Sequence, residues 1–131
     1  MESVIKFITS SFATVFIYLL GGLDIALQSL LVVIVLDYIT GIAKSYVGKK
    51  LNSNKGFKGI IKKLCILCMV ALAVIVDHIA GDTGLIRTTL IYYLVANEGL
   101  SILENLAEMD IIVPEVLKEK LEQLSEGKNH E

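Results

Sequence analysis

Four long apolar stretches, at 4–22, 25–43, 64–80 and 85–103, constrain this chain more than any other feature. Each has about the length a bilayer requires, since ~20 residues of helix cross a hydrocarbon core of ~30 Å. A lone strand in lipid would leave its backbone N–H and C=O groups without partners, so all four stretches are expected to be helices. Composition agrees, with 54% of the 131 residues apolar and 20% charged. The charges gather in short blocks between the apolar stretches, a membrane pattern rather than a soluble one. Disorder, collagen and a disulfide scaffold are excluded. Cys65 and Cys68 share one apolar stretch, so they cannot build a framework of bridges.

Gly21, Gly22 and Asp24 predict a tight turn between the first two stretches, and Gly81, Asp82, Thr83 and Gly84 another between the last two. The expected architecture is therefore an all-α integral membrane protein of three to four transmembrane helices in two hairpins. The connection 44–63 carries Lys44, Lys49, Lys50, Lys55, Lys58, Lys62 and Lys63 and no acid, against a lone Arg87 near the opposite face. By the positive-inside rule this loop and the tail from about 104 are cytoplasmic, and both turns lie outside. Residues 1–104 form the transmembrane domain and 105–131 a cytoplasmic tail.

The first stretch is expected to be retained, because its amino end carries only Lys6 against Glu2 and no A-x-A-like site follows it. Ser3, Ser10, Ser11, Thr14 and Gly21 dilute it. They are read as small packing contacts against a neighbouring helix, with residence in the membrane interface as the alternative. In the tail, Pro114 and Glu115 suit a helix start. Val116, Leu117, Leu121 and Leu124 then form the apolar seam of a short amphipathic helix. Gly127 to Glu131 reads as a frayed polar end with His130 exposed.

Charged groups at membrane depth cost ~2.5–3.5 kcal/mol each at a helix centre, which makes Asp37, Asp77 and Glu98 the residues most worth weighing. They either face a helix interface or a wet lumen, or lie close enough to a boundary to be hydrated. Asp37 is assigned to an interface, because seven residues separate it from the first lysine. Gly41, one helical turn on, would let another backbone approach beside it. Asp77 and His78 suit either reading equally. Glu98, beside Asn97, suits the boundary slightly better, since Asn97, Ser101, Asn105 and Glu108 continue as a polar stripe where the helix leaves the bilayer.

Catalysis has no visible basis. There is no Walker loop, Gly-x-Ser-x-Gly, His-Glu-x-x-His or dinucleotide fingerprint. Cys65 and Cys68 provide half a zinc site at most and are read as small apolar contacts, and no metal or cofactor is expected. The lysines set topology and should attract anionic headgroups, with Phe57 able to dip into the interface. Nucleic-acid binding is disfavoured in a segment without arginine.

The run Leu36-Asp37-Tyr38-Ile39-Thr40-Gly41 is followed by Lys49-Lys50-Leu51-Asn52-Ser53 and then by Gly56-Phe57-Lys58-Gly59-Ile60-Ile61-Lys62-Lys63, with Val76-Asp77 closing the third stretch. Over residues 25–80 this closely resembles the phage holin family that includes the toxin-secretion holins of clostridia. The resemblance implies a non-enzymatic protein without cofactors that accumulates in the bacterial cytoplasmic membrane and oligomerises. At a set time it would open lesions that release an endolysin, or in some relatives a toxin. Its implied partners are copies of itself and membrane lipids, with the endolysin released but not necessarily bound. Two other classes fit the residues: a small ion or solute channel or transporter subunit, and an antiholin that delays a partner holin.

Overall fold

The structure, a computed structural model, describes residues 1–127. The polar end with His130 lies outside the described residues. Five helices follow one another: α1 (Glu2–Leu19), α2 (Ile25–Val47), α3 (Ser53–Ile79), α4 (Leu85–Glu108) and α5 (Glu115–Glu126). There is no strand among the described residues, and the protein is an all-α membrane protein.

Two of the helices begin at local side-chain caps. Asp24 caps α2 by accepting the Leu27 N–H at 3.0 Å, and Asn52 caps α3 by accepting the Asn54 N–H at 2.9 Å. That second cap corrects the sequence expectation for 44–63. The segment is mostly helical: α2 runs to Val47 and α3 starts at Ser53, which leaves only residues 48–52 as a link. Hydropathy locates the apolar part of a helix, whereas lysine is a good helix former and extends α3 well beyond it. At the other boundary α4 continues unbroken through position 104 to Glu108.

α4 is the hub. It packs along α2, more lightly on α3, and carries α5 folded back against it, while α2 and α3 touch each other sparingly. Leu27, Leu30 and Ile34 of α2 meet Val70 of α3 and Ile91 and Leu94 of α4 in the core, joined by Leu20 from the first turn. α1, α2 and α3 are long and apolar enough to cross a membrane, whereas α4 is not among them. Arg87, Asn97 and Glu98 lower its hydropathy, and Arg87 and Glu98 are spent on the neighbouring helices and turns.

α1 is the reverse case, apolar but without a buried residue. It joins the core only through Phe16 and the adjoining Leu20. Within the protomer Ser3, Ser10, Ser11 and Thr14 are exposed, and of the small residues named for packing only Gly21 lies against a neighbour, Arg87. Thr9 donates to the Ile5 carbonyl at 2.9 Å and Thr14 to that of Ser10 at 2.8 Å, so these hydroxyls are satisfied by their own helix. In α5 only Leu121 of the predicted seam turns inward, its methyl carbons lying where a Cβ on Gly99 would be 3.0 and 3.1 Å away. Val116, Leu117 and Leu124 stay exposed.

Candidate functional site

Polar side chains collect at two levels of the bundle, with the apolar core between them. At the lysine-rich end, Lys63 of α3 hydrogen-bonds to both Asp37 of α2 and Glu98 of α4. Asn105, two turns beyond Glu98 and so on the same face of α4, donates to Asp37 Oδ1 at 3.1 Å and to Thr40 Oγ1 at 3.0 Å. One ammonium thus serves two carboxylates from two helices, and the Asn105 amide extends the network from Asp37 to Thr40. Asp37, Glu98 and Asn105 are all buried. Two carboxylates and one ammonium give the triad a formal charge of −1, and Lys63 is the cation that offsets the cost of burying both acids. A half-exposed pair, Lys44 with Glu108 at 3.4 Å, continues the α2–α4 seam outward.

At the turn end, Asp77 near the close of α3 accepts the N–H groups of Ile86 at 3.0 Å and Arg87 at 2.8 Å. Gly84 precedes α4 with φ +70° and has no side chain to cap it, so Asp77 satisfies two donors of the first turn from another helix. The Arg87 side chain reaches the other turn. Nη1 and Nη2 donate to the two oxygens of Asp24 at 2.7 and 3.1 Å, Nε to the Leu20 carbonyl at 2.7 Å and Nη2 to the Gly22 carbonyl at 2.9 Å. Hydrogen bonding to the Arg87 guanidinium holds the Asp24 carboxyl below its ordinary value, against the opposing effect of its own partial burial.

These clusters unite residues that the sequence presents separately. Asp37 and Glu98 meet through Lys63, which the sequence reading placed in a basic loop. Gly41 faces Asn105, but a Cβ there would lie 3.8 Å from Asn105 Nδ2, an ordinary contact rather than a close backbone approach. Asn97 is half-buried and forms no side-chain hydrogen bond with the described residues. His78 is exposed and pairs with Asp82 at 2.9 Å, apart from Asp77's capping role. Cys65 and Cys68 are exposed free thiols. Arg87 went unread as a site residue. Its signal was present in the sequence as a lone cation beside one glycine turn facing a lone anion, Asp24, in the other.

Every buried side-chain nitrogen and oxygen among the described residues has a hydrogen-bond partner. What the two clusters can do is hold α2, α3 and α4 in register while presenting an apolar exterior to lipid.

Such a bundle, with Asp37, Asp77, Arg87 and Glu98 turned inward and many large apolar side chains on its outer surface, is that of a helical membrane protein, and comparison with known proteins narrows the class. Residues 14–126 match the model of the bacteriophage holin family, and the chain belongs to that family. It is 42% identical over 98% of its length to the whole of an uncharacterized 14.9 kDa protein encoded in the nagH 3′ region of Clostridium perfringens. It is 45% identical over 90% of its length to 84% of an uncharacterized protein of Listeria monocytogenes. A probable holin of Bacillus phage phi105 is 34% identical over 79% of this chain and 76% of its own. No solved structure matches.

Proposed function

We propose that this protein is the lesion-forming holin of a lysis system. It accumulates in the bacterial cytoplasmic membrane, associates with copies of itself and opens abruptly to release an endolysin. The observation that carries this reading is the complete internal pairing of its buried polar groups. A protomer whose buried polar groups are all hydrogen-bonded internally can turn apolar side chains to lipid, so it can collect without harm. Five helices are too few to enclose a protein-sized passage, so a lesion of that size is built from many copies. Residues 44–63 and 105–131 face the cytoplasm and 81–84 the outside, as the lysine asymmetry directs. Asp37, Lys63 and Glu98 are the groups that exchange internal partners for neighbouring protomers or water when the lesion forms. The protein does this without catalysis.

Induction in a bacterium carrying a signal-less endolysin tests the proposal. Growth should continue while the protein accumulates, then membrane potential should collapse and enzyme escape together. Gradual ion leakage in proportion to the first copies, with the endolysin retained, would identify a small channel. Abundance without toxicity, combined with protection against another holin, would identify an antiholin.

A further inference from the structure

We propose that the cavity between α2 and α3 at the lysine-rich end binds a phosphate group, supplied by an anionic phospholipid of the membrane. The two helices are joined by five residues, their backbones stay apart with Tyr38 reaching across to Gly56 and Gly59, and a space of about 810 Å³ opens between them. That volume falls in the range of small-ligand sites, about 300–1,000 Å³. Four lysines line it. Lys44 and Lys63 are already held by Glu108 and by Asp37 with Glu98. Lys55 and Lys62 form no ion pair with the described residues, so two ammonium groups border the space without a counter-charge.

The remainder of the lining fits the rest of such a ligand. Ser53 stands at the amino end of α3, where the first-turn N–H groups and the helix dipole favour an anion. Ile42, Phe57 and Ile60 provide an apolar wall on which an acyl chain can lie. A freely diffusing anion would gain nothing from that wall, and α2 and α3 are both helices able to span a membrane, so the space borders lipid. The headgroup phosphate would take up the space left beside Tyr38 and the Asp37–Lys63 pair, the contacts that bridge α2 and α3 at this end.

The test uses the full chain in phosphatidylcholine nanodiscs, with phosphatidylglycerol added and bound lipid counted by native mass spectrometry. One phosphatidylglycerol should be retained, and Lys55→Gln with Lys62→Gln should weaken its binding roughly 30-fold, as loss of two lysine contacts implies. Lys50→Gln with Lys58→Gln removes the same charge outside the lining and should leave retention unchanged. Lys55→Arg with Lys62→Arg should preserve it, which separates charge loss from misfolding. Equal loss in the Lys50/Lys58 variant would show diffuse surface attraction and overturn the site. Displacement of the lipid by millimolar inorganic phosphate, with equal stabilisation, would overturn the lipid source. Retention is measured without lysis, so failure here leaves the holin reading untouched.

Discussion

Arg87, on the interior helix α4, grips Asp24, the residue that starts α2, through two guanidinium–carboxylate hydrogen bonds of 2.7 and 3.1 Å. The contact joins two turns that are 63 residues apart in sequence. Because the guanidinium is buried, its removal strands two backbone carbonyls as well as the carboxylate. Arg87→Gln should destabilise the protein in detergent by about 2–3 kcal/mol, measured as a fall in unfolding temperature. Asp24→Asn should cost less, since the Asp24 side chain is 51% exposed and water can replace part of the contact.

The same pair predicts a pH dependence. Arg87 lowers the Asp24 pKa below 3.8, so the folded protein binds that proton less tightly than the unfolded chain. The resulting stabilisation is present above about pH 4 and is lost as pH falls through the folded value. The difference in melting temperature between the wild type and Asp24→Asn should therefore shrink on acidification towards pH 3. A difference that stays constant over this interval would show that the carboxylate charge does not act there.

Asp77 replaces the cap that Gly84 cannot supply. Asp77→Ala should cost about 1–2 kcal/mol and speed hydrogen exchange at the amides of Ile86 and Arg87, while Asp77→Asn, which keeps one acceptor, should fall between. Exchange rates unchanged in the alanine variant would remove the capping role.

Lys63 and Asp37 should not be equivalent. Lys63→Met leaves two buried carboxylates facing each other and should destabilise by about 3–5 kcal/mol. Asp37→Asn leaves a one-to-one pair between Lys63 and Glu98 and keeps an oxygen for Asn105, so insertion should persist while lysis timing changes. Equal loss of membrane-inserted protein in the two variants would contradict the triad geometry.

Much of this was legible in the sequence, and the remainder was not for identifiable reasons. The apolar stretches located α1, α2 and the apolar part of α3, because lipid imposes length and composition directly. Asp37, Asp77 and Glu98 stood out because charge is costly at that depth. Their partners did not. Lys63 sits where a topology-setting loop and a helix interior have the same composition, and only the Asn52 cap reveals that α3 has already begun. Glu98 suited a hydrated boundary for the same reason: nothing in the spacing of α4 says that Lys63 arrives beside it from another helix. The Asp77 contact reverses ordinary capping logic, since the acceptor follows from how α3 and α4 pair and lies nine residues before its first donor.

Gly99 gives a packing test. A Cβ there would stand 3.0 and 3.1 Å from the Leu121 methyl carbons. Gly99→Val should thus overpack the α4–α5 contact, cost about 1–3 kcal/mol and expose α5 to protease. Leu121→Ala in the same chain should restore protection. Continued cleavage of the double variant would place the cause elsewhere.

Besides its two bonds to the Asp24 carboxylate, Arg87 holds the first turn through the carbonyl oxygens of Leu20 and Gly22, atoms that every residue carries. Substitution of the Leu20 side chain can therefore preserve that joint, provided the turn keeps its shape. Intolerance is displaced to a residue that contributes no atom to the joint. Gly21 adopts φ +87°, and any Cβ there would come within 2.5 Å of Arg87 Nε. Among functional relatives, the trace of this arginine's work should be found in Asp24 and in the glycine it passes over, more than in the side chain of Leu20, which it binds only through the backbone.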